Sequence, residues 1–226
     1  MIISVHIGKT GGSSFKKILS EIYGDKLFFD YNKGKKPKYW YFKIRTFYRR
    51  LIKKRFHIPA GTEIIHGHIQ STKYDFSCDS RKYIVWVREP VQRVMSHFYY
   101  WGRNPNPTSM TYLAIAKRGF TIENFIRNRM TRDVQSRYID GKNITDFAFV
   151  GITEQYERSI RLFLKMFGIE KNILIDKINV NGDRNGATYN IPADLRDEIV
   201  RLNQKDHKLY SEALLHFESL CRKWGV

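Results

Sequence analysis

Residues 2–15 read Ile2-Ile3-Ser4-Val5-His6-Ile7-Gly8-Lys9-Thr10-Gly11-Gly12-Ser13-Ser14-Phe15, and this stretch decides the fold. A short apolar run enters a glycine-rich segment, after which Phe15, Ile18, Leu19 and Ile22 recur at helical spacing. The pattern is strand, loop, helix, with Ser13 or Ser14 expected to cap the helix. Backbone amides and the positive end of the helix dipole then face the loop, which makes it an anion cradle. Gly8, Gly11 and Gly12 allow close backbone approach, Thr10, Ser13 and Ser14 offer hydroxyls, and Lys9 adds a full positive charge. In isolation a glycine-rich turn with an incidental lysine would look the same. A nucleoside-triphosphatase loop requires G-x-x-x-x-G-K-[ST], but Ile3 stands where the first glycine belongs.

Working outward, Thr62 to Ile65 reads as a strand leading into His66-Gly67-His68. Lys82 to Val87 is a clearer strand, rich in aromatic and β-branched residues. It ends at Arg88-Glu89, and Pro90 is placed as the first residue of a helix whose buried face is Val91, Val94, Met95 and Phe98. Thr121 is expected to cap a helix, Phe147 to Val150 and Asn172 to Ile175 to be strands, and Thr153 to Phe167 to be a long helix. A polar loop at 179–190 and two helices from Pro192 complete the chain. Alternating strands and helices predict an α/β fold: a P-loop-like three-layer sandwich, with a central parallel sheet flanked by helices. One domain over 1–226 is expected, with a basic helical insertion at about 32–58.

That insertion is unusual. Residues 32–56 hold eleven Lys or Arg and no acid, with Trp40, Ile44, Phe47, Tyr48 and Leu51 at helical spacing. It is either a solvated helix face with a core stripe or a surface for an anionic polymer. Across the chain, 40 Lys and Arg against 22 Asp and Glu give a net charge of +18, a field that concentrates anions. Cys78 and Cys221 are too few for a disulfide scaffold and show no metal spacing. No apolar run is long enough to span a membrane.

Two junctions of strand and helix, at Gly8 to Ser14 and at Arg88, lie where open α/β sheets bind ligands. Arg88 suits a bidentate phosphate grip, and Ser96, two turns into the helix, can reach the same group. The segment His6 to Phe15 resembles the 5′-phosphosulfate loop of Golgi-type carbohydrate sulfotransferases and their bacterial relatives. Val87-Arg88-Glu89-Pro90-Val91-Gln92-Arg93-Val94-Met95-Ser96-His97-Phe98-Tyr99 resembles that family's 3′-phosphate signature. Val150 to Glu154, with Asn203, Asp206, Leu209 and Tyr210, is similar to its weaker downstream pattern. The resemblance implies a donor, PAPS (3′-phosphoadenosine 5′-phosphosulfate, leaving as PAP), held by Gly8, Lys9, Thr10, Gly11, Gly12, Ser13, Ser14, Arg88 and Ser96, with no metal.

Sulfuryl transfer to an alcohol needs charge neutralised on the leaving phosphate, for which Lys9 is placed, and a base at the acceptor hydroxyl. The His-Gly-His triplet is similar to that of uronyl 2-O-sulfotransferases, which implies His66 as base and His68 as an acceptor contact, with Glu63 in reserve. The charge balance suits an anionic glycan acceptor, and no nucleic-acid partner is expected. The alternatives are a nucleoside-triphosphate-dependent kinase using the same loop and a non-enzymatic polyanion binder acting through residues 33–55. If Met1 is the native start, a cytoplasmic bacterial enzyme is expected; a removed anchor would instead imply the Golgi lumen.

Overall fold

The computed structural model describes residues 1–31, 55–77, 80–171, 173 and 188–226. The basic segment, Cys78, the strand expected at 172–175 and most of the loop at 179–190 fall wholly or largely outside the described residues. Cys221 is a buried free thiol.

Among the described residues, five strands form one sheet: β1 (Ile2–Val5), β2 (Leu27–Phe29), β3 (Ile64–Gly67), β4 (Lys82–Val87) and β5 (Phe149–Ile152). Their order is β2-β3-β1-β4-β5 and every pairing is parallel. Helices on the sheet complete the expected three-layer sandwich: α1 (Gly12–Tyr23), α2 (Pro90–Arg103), α3 (Met110–Ala116), α4 (Ile122–Arg127), α5 (Val134–Tyr138), α6 (Tyr156–Met166), α7 (Ala193–Leu202) and α8 (Gln204–Trp224). Strands β1, β3 and β5 are buried throughout, as expected for a sheet covered on both faces.

Aromatic packing joins the layers. Phe15 of α1 meets Trp86 of β4 at 5.2 Å and Phe163 of α6 at 5.1 Å, and Trp86 meets Phe149 of β5 at 5.9 Å between ring centres. The long α8 packs on β5, α5 and α6. A second apolar cluster gathers Val91, Val94, Met95 and Trp101 of α2 with Phe125 and Ile126 of α4 and Ile199 of α7.

Several boundaries depart from the sequence reading. Strand β3 begins at Ile64 and takes in His66 and Gly67, so two of the three His-Gly-His residues belong to the sheet. Strand β5 is displaced two residues toward the carboxyl end, and a 3-10 turn at Thr153–Gln155 precedes α6. The helix α1 is capped by Gly11 in the left-handed region (φ 81°) and not by Ser13 or Ser14, which lie inside it. Strand β2 and the short helices α3 and α5 have no counterpart in the periodicity, because three to seven residues are too few to display one.

Gly67 has a packing reason. A Cβ there would stand 1.9 Å from the carbonyl oxygen of Asp30. Asp30 cannot retreat easily: its N–H donates to the His66 carbonyl at 2.9 Å, Tyr74 donates to its carboxylate at 2.7 Å, and Lys73 pairs with it. Gly67→Ala is therefore expected to cost about 2 kcal/mol of stability. Urea unfolding measures this, and an unchanged midpoint would show that Asp30 yields freely.

Candidate active site

Because the strands are parallel, their carboxyl ends share one edge, and β1 at the centre has chain crossing to either side of it. The loop after β1, Tyr31 after β2, His66 to His68 at the end of β3, Arg88 after β4 and Glu154 after β5 all gather there. Glu63 precedes β3 and so lies at the opposite edge, where it pairs with Lys26 at 2.5 Å. It is thereby removed as a reserve base.

The loop folds back on itself. Thr10 Oγ1 donates to the Ile7 carbonyl at 2.9 Å, so this hydroxyl is turned inward and its residue can serve an anion only through its backbone. Lys9 holds φ 73°, a left-handed conformation costing a non-glycine residue about 1 kcal/mol. No side chain caps α1, so the positive end of its dipole, with the first-turn amides, faces the loop without a side-chain cap. Ser13 is exposed and Ser14 buried. A Cβ at Gly12 would lie 2.0 Å from His6 Nε2, so the loop's third glycine admits the imidazole that packs against it.

Lys9 Nζ rests 3.9 Å from the centre of the Tyr100 ring on α2. Ser96 lies one turn earlier on α2, on the face that Tyr100 turns toward the loop. Arg88, buried at 5% exposure, donates from Nη1 to the Lys9 carbonyl at 3.4 Å. The two sequence segments thus meet through Lys9, once at its ammonium and once at its carbonyl. Arg88 Nε stands 3.7 Å from Glu154 Oε1, while Tyr210 donates to Glu154 Oε2 at 2.9 Å and the Glu89 N–H to Oε1 at 3.2 Å. Burial pushes the Glu154 carboxyl above its ordinary range, opposed by Tyr210 and Arg88. Glu154 and Tyr210 carry the weaker downstream pattern; the sequence alone shows no role for them.

The histidines form a stack. His6 lies between His66 and His68, with ring centres 4.9 and 4.4 Å away. His68 Nδ1 lies 2.8 Å from the His6 carbonyl; since a carbonyl only accepts, Nδ1 carries the proton and Nε2 the lone pair. His66 Nδ1 bonds Ser4 Oγ at 2.8 Å, and His6 Nδ1 bonds the Tyr31 hydroxyl at 2.9 Å. His66 Nε2 is buried with no hydrogen-bond partner among the described residues, and the residue is 1% exposed. His68 is the part-exposed member. Ser4 and Tyr31 enter the cluster without a motif to announce them; His6 opens the loop motif, which gives no sign that its ring packs among the other imidazoles.

Burial, with His68 and Lys16 nearby, holds the His66 imidazole down to about 3, and burial likewise lowers His6. The unfolded chain takes up a proton on His66 below about pH 6.5, whereas the folded chain excludes it until about pH 3. Stability present above pH 6.5 is therefore lost as the pH falls through that window. Between pH 7 and pH 5 His66 is expected to remove about 2 kcal/mol. Urea midpoints across that range should fall less steeply for His66→Gln; an equal slope would refute the assignment.

A helix start with no side-chain cap beside a lysine, with a buried arginine at the neighbouring strand end, suits an anionic ligand with phosphate-type groups. That defines an α/β protein with an anion-binding site at the carboxyl ends of its strands. Residues 1–211 match the sulfotransferase family, and the chain belongs to it. No curated protein matches the chain. Among solved structures, a sulfotransferase from Alicyclobacillus acidocaldarius is similar at 15% identity over 98% of this chain and 95% of that one, with a TM-score of 0.44. Among the described residues no group of His, Cys, Asp and Glu is arranged to hold a metal ion, and no helix is long and apolar enough to cross a membrane.

Proposed function

We propose that this sulfotransferase-family protein moves a sulfuryl group from PAPS to a hydroxyl of a carbohydrate acceptor, an anionic oligo- or polysaccharide. The observation that carries the donor reading is the meeting of the two junctions at Lys9, with Arg88 buried against its carbonyl. The amides of Gly8 to Ser14 and the α1 dipole would receive the 5′-phosphate side of the donor, and Arg88 with Ser96 the 3′-phosphate. PAPS supplies an electrophilic sulfuryl group on a phosphate leaving group. Lys9 neutralises the charge that grows on that phosphate, at present resting on the Tyr100 ring.

The acceptor proton goes to an imidazole at the end of β3. His66 is the residue the family resemblance nominates, with His68 contacting the acceptor. Exposure favours a second reading in which His68, with its Nε2 lone pair, is the base and His6 supports it through its ring and carbonyl. The +18 charge supports an anionic acceptor.

Calorimetry with adenosine 3′,5′-bisphosphate, and separately with ATP and Mg²⁺, is the first test. The bisphosphate should bind and be preferred; preference for Mg-ATP would favour a kinase, and salt-sensitive polyanion binding without nucleotide a simple binder. Lys9→Ala should lower turnover by 100-fold or more, on the order of a lost oxyanion contact. His66→Ala should abolish transfer and spare bisphosphate binding. Near-normal turnover of His66→Ala beside a dead His68→Ala would move the base to His68. A labelled-PAPS screen over uronate-containing, neutral and amino-sugar glycans tests the acceptor class.

A further inference from the structure

We infer that Gln135 is a positioning residue of the donor site, whose buried carboxamide holds the Arg88 peptide and so sets selectivity for a nucleotide with a second phosphate. The inference rests on the donor reading above and concerns a residue outside both of its motifs.

Strand β4 ends at Val87 and α2 begins at Pro90, so the Arg88 peptide lies beyond the sheet ladder and before the helix. Its polar groups are buried and need partners. Gln135 supplies both: Oε1 accepts the Arg88 N–H at 2.8 Å and Nε2 donates to the Arg88 carbonyl at 2.8 Å. One side chain thus replaces a rung of the sheet. Gln135 is 0% exposed, which leaves no room for water to take its place.

Gln135 is itself held. It sits in α5, a five-residue helix too short to stand alone. Asp206 of α8, wholly buried, accepts from Gln135 N at 3.1 Å and from Ser136 N and Oγ at 2.8 Å each. Asp133, just before α5, accepts from the N–H groups of Lys205 and Asp206 at 3.1 and 3.2 Å. Asn203 accepts from Asp133 N at 2.9 Å. The two helix starts therefore cap each other, and the chain of bonds runs from α8 through Gln135 to Arg88. At the far end of Arg88, the Lys9 carbonyl and Glu154 orient the guanidinium. A side chain held at both ends meets a phosphate without first losing its rotamer freedom.

The test is calorimetry on the full chain with adenosine 3′,5′-bisphosphate and with AMP, which lacks the second phosphate. The readout is the ratio of the two affinities. Wild type should prefer the bisphosphate, and Arg88→Ala should erase the preference. Gln135→Leu should lower the ratio by about tenfold, with AMP binding nearly unchanged. Should that variant fail to fold, Gln135→Glu keeps the shape and the acceptor toward Arg88 N–H but loses the donor toward its carbonyl, and the ratio should again fall. A variant that folds and keeps the wild-type ratio, or loses both affinities equally, overturns the positioning role alone. A wild type indifferent to the second phosphate overturns the donor reading, and this inference with it.

Discussion

Parallel pairing of all five strands is the constraint on which the rest of this structure depends. Parallel strands cannot be joined by tight turns; each connection must return over a face of the sheet, and each strand therefore delivers its following loop to the same edge. Once β1 occupies the centre, the glycine-rich loop has β3 on one side and β4 on the other. His66 and Arg88 become its neighbours through topology, although some sixty and eighty residues of chain separate them from it. Glu63 shows the converse: three residues before His66, it lies at the wrong end of the same strand.

Charge at this edge is managed by burial and pairing. Arg88 meets a carboxylate and a carbonyl. Arg93, fully buried one helical turn beyond, donates to the Thr131 carbonyl at 3.0 Å. Burial lowers its guanidinium to about 10, opposed by Asp206, so it stays charged at neutral pH. Asp206 thus faces two tasks, capping α5 and offsetting a buried cation. Removing it would strand the α5 amides and leave a buried cation short of its counter-charge, a class of change that commonly costs 3–5 kcal/mol, as an order of magnitude. The positive field of the chain and this interior pairing are separate matters: the field attracts an anion, and the pairing decides where it can be gripped.

Legibility followed the length of the signal. Strand β4 and Pro90 read correctly because six residues of strand propensity were followed closely by a residue that both starts helices and breaks sheets. The loop read as an anion cradle because strand, glycines and helix were contiguous. Ser13 and Ser14 misled as caps because a glycine two residues earlier could adopt the left-handed turn that ended the loop. Gln135 left no trace, since a side chain bonded to a distant peptide has neither period nor fixed spacing. The burial of His66 was equally hidden: two-residue alternation along a strand puts His66 and His68 on one face but does not reveal that His6 lies between them.

That intervening His6 joins the two halves of the site. Its ring touches Gly12 of the glycine-rich loop on one side and stacks between His66 and His68 on the other, while its carbonyl orients His68. The interior tolerates little displacement, because close-packed groups transmit strain. A side chain added at Gly12 would therefore push His6 into the imidazoles as well as crowd the loop. The glycine that permits phosphate approach in the sequence reading also permits His6 to sit where it sets the tautomer of His68. The loop and the histidine cluster are consequently one packed unit, and changes made in the loop should be felt at the histidines.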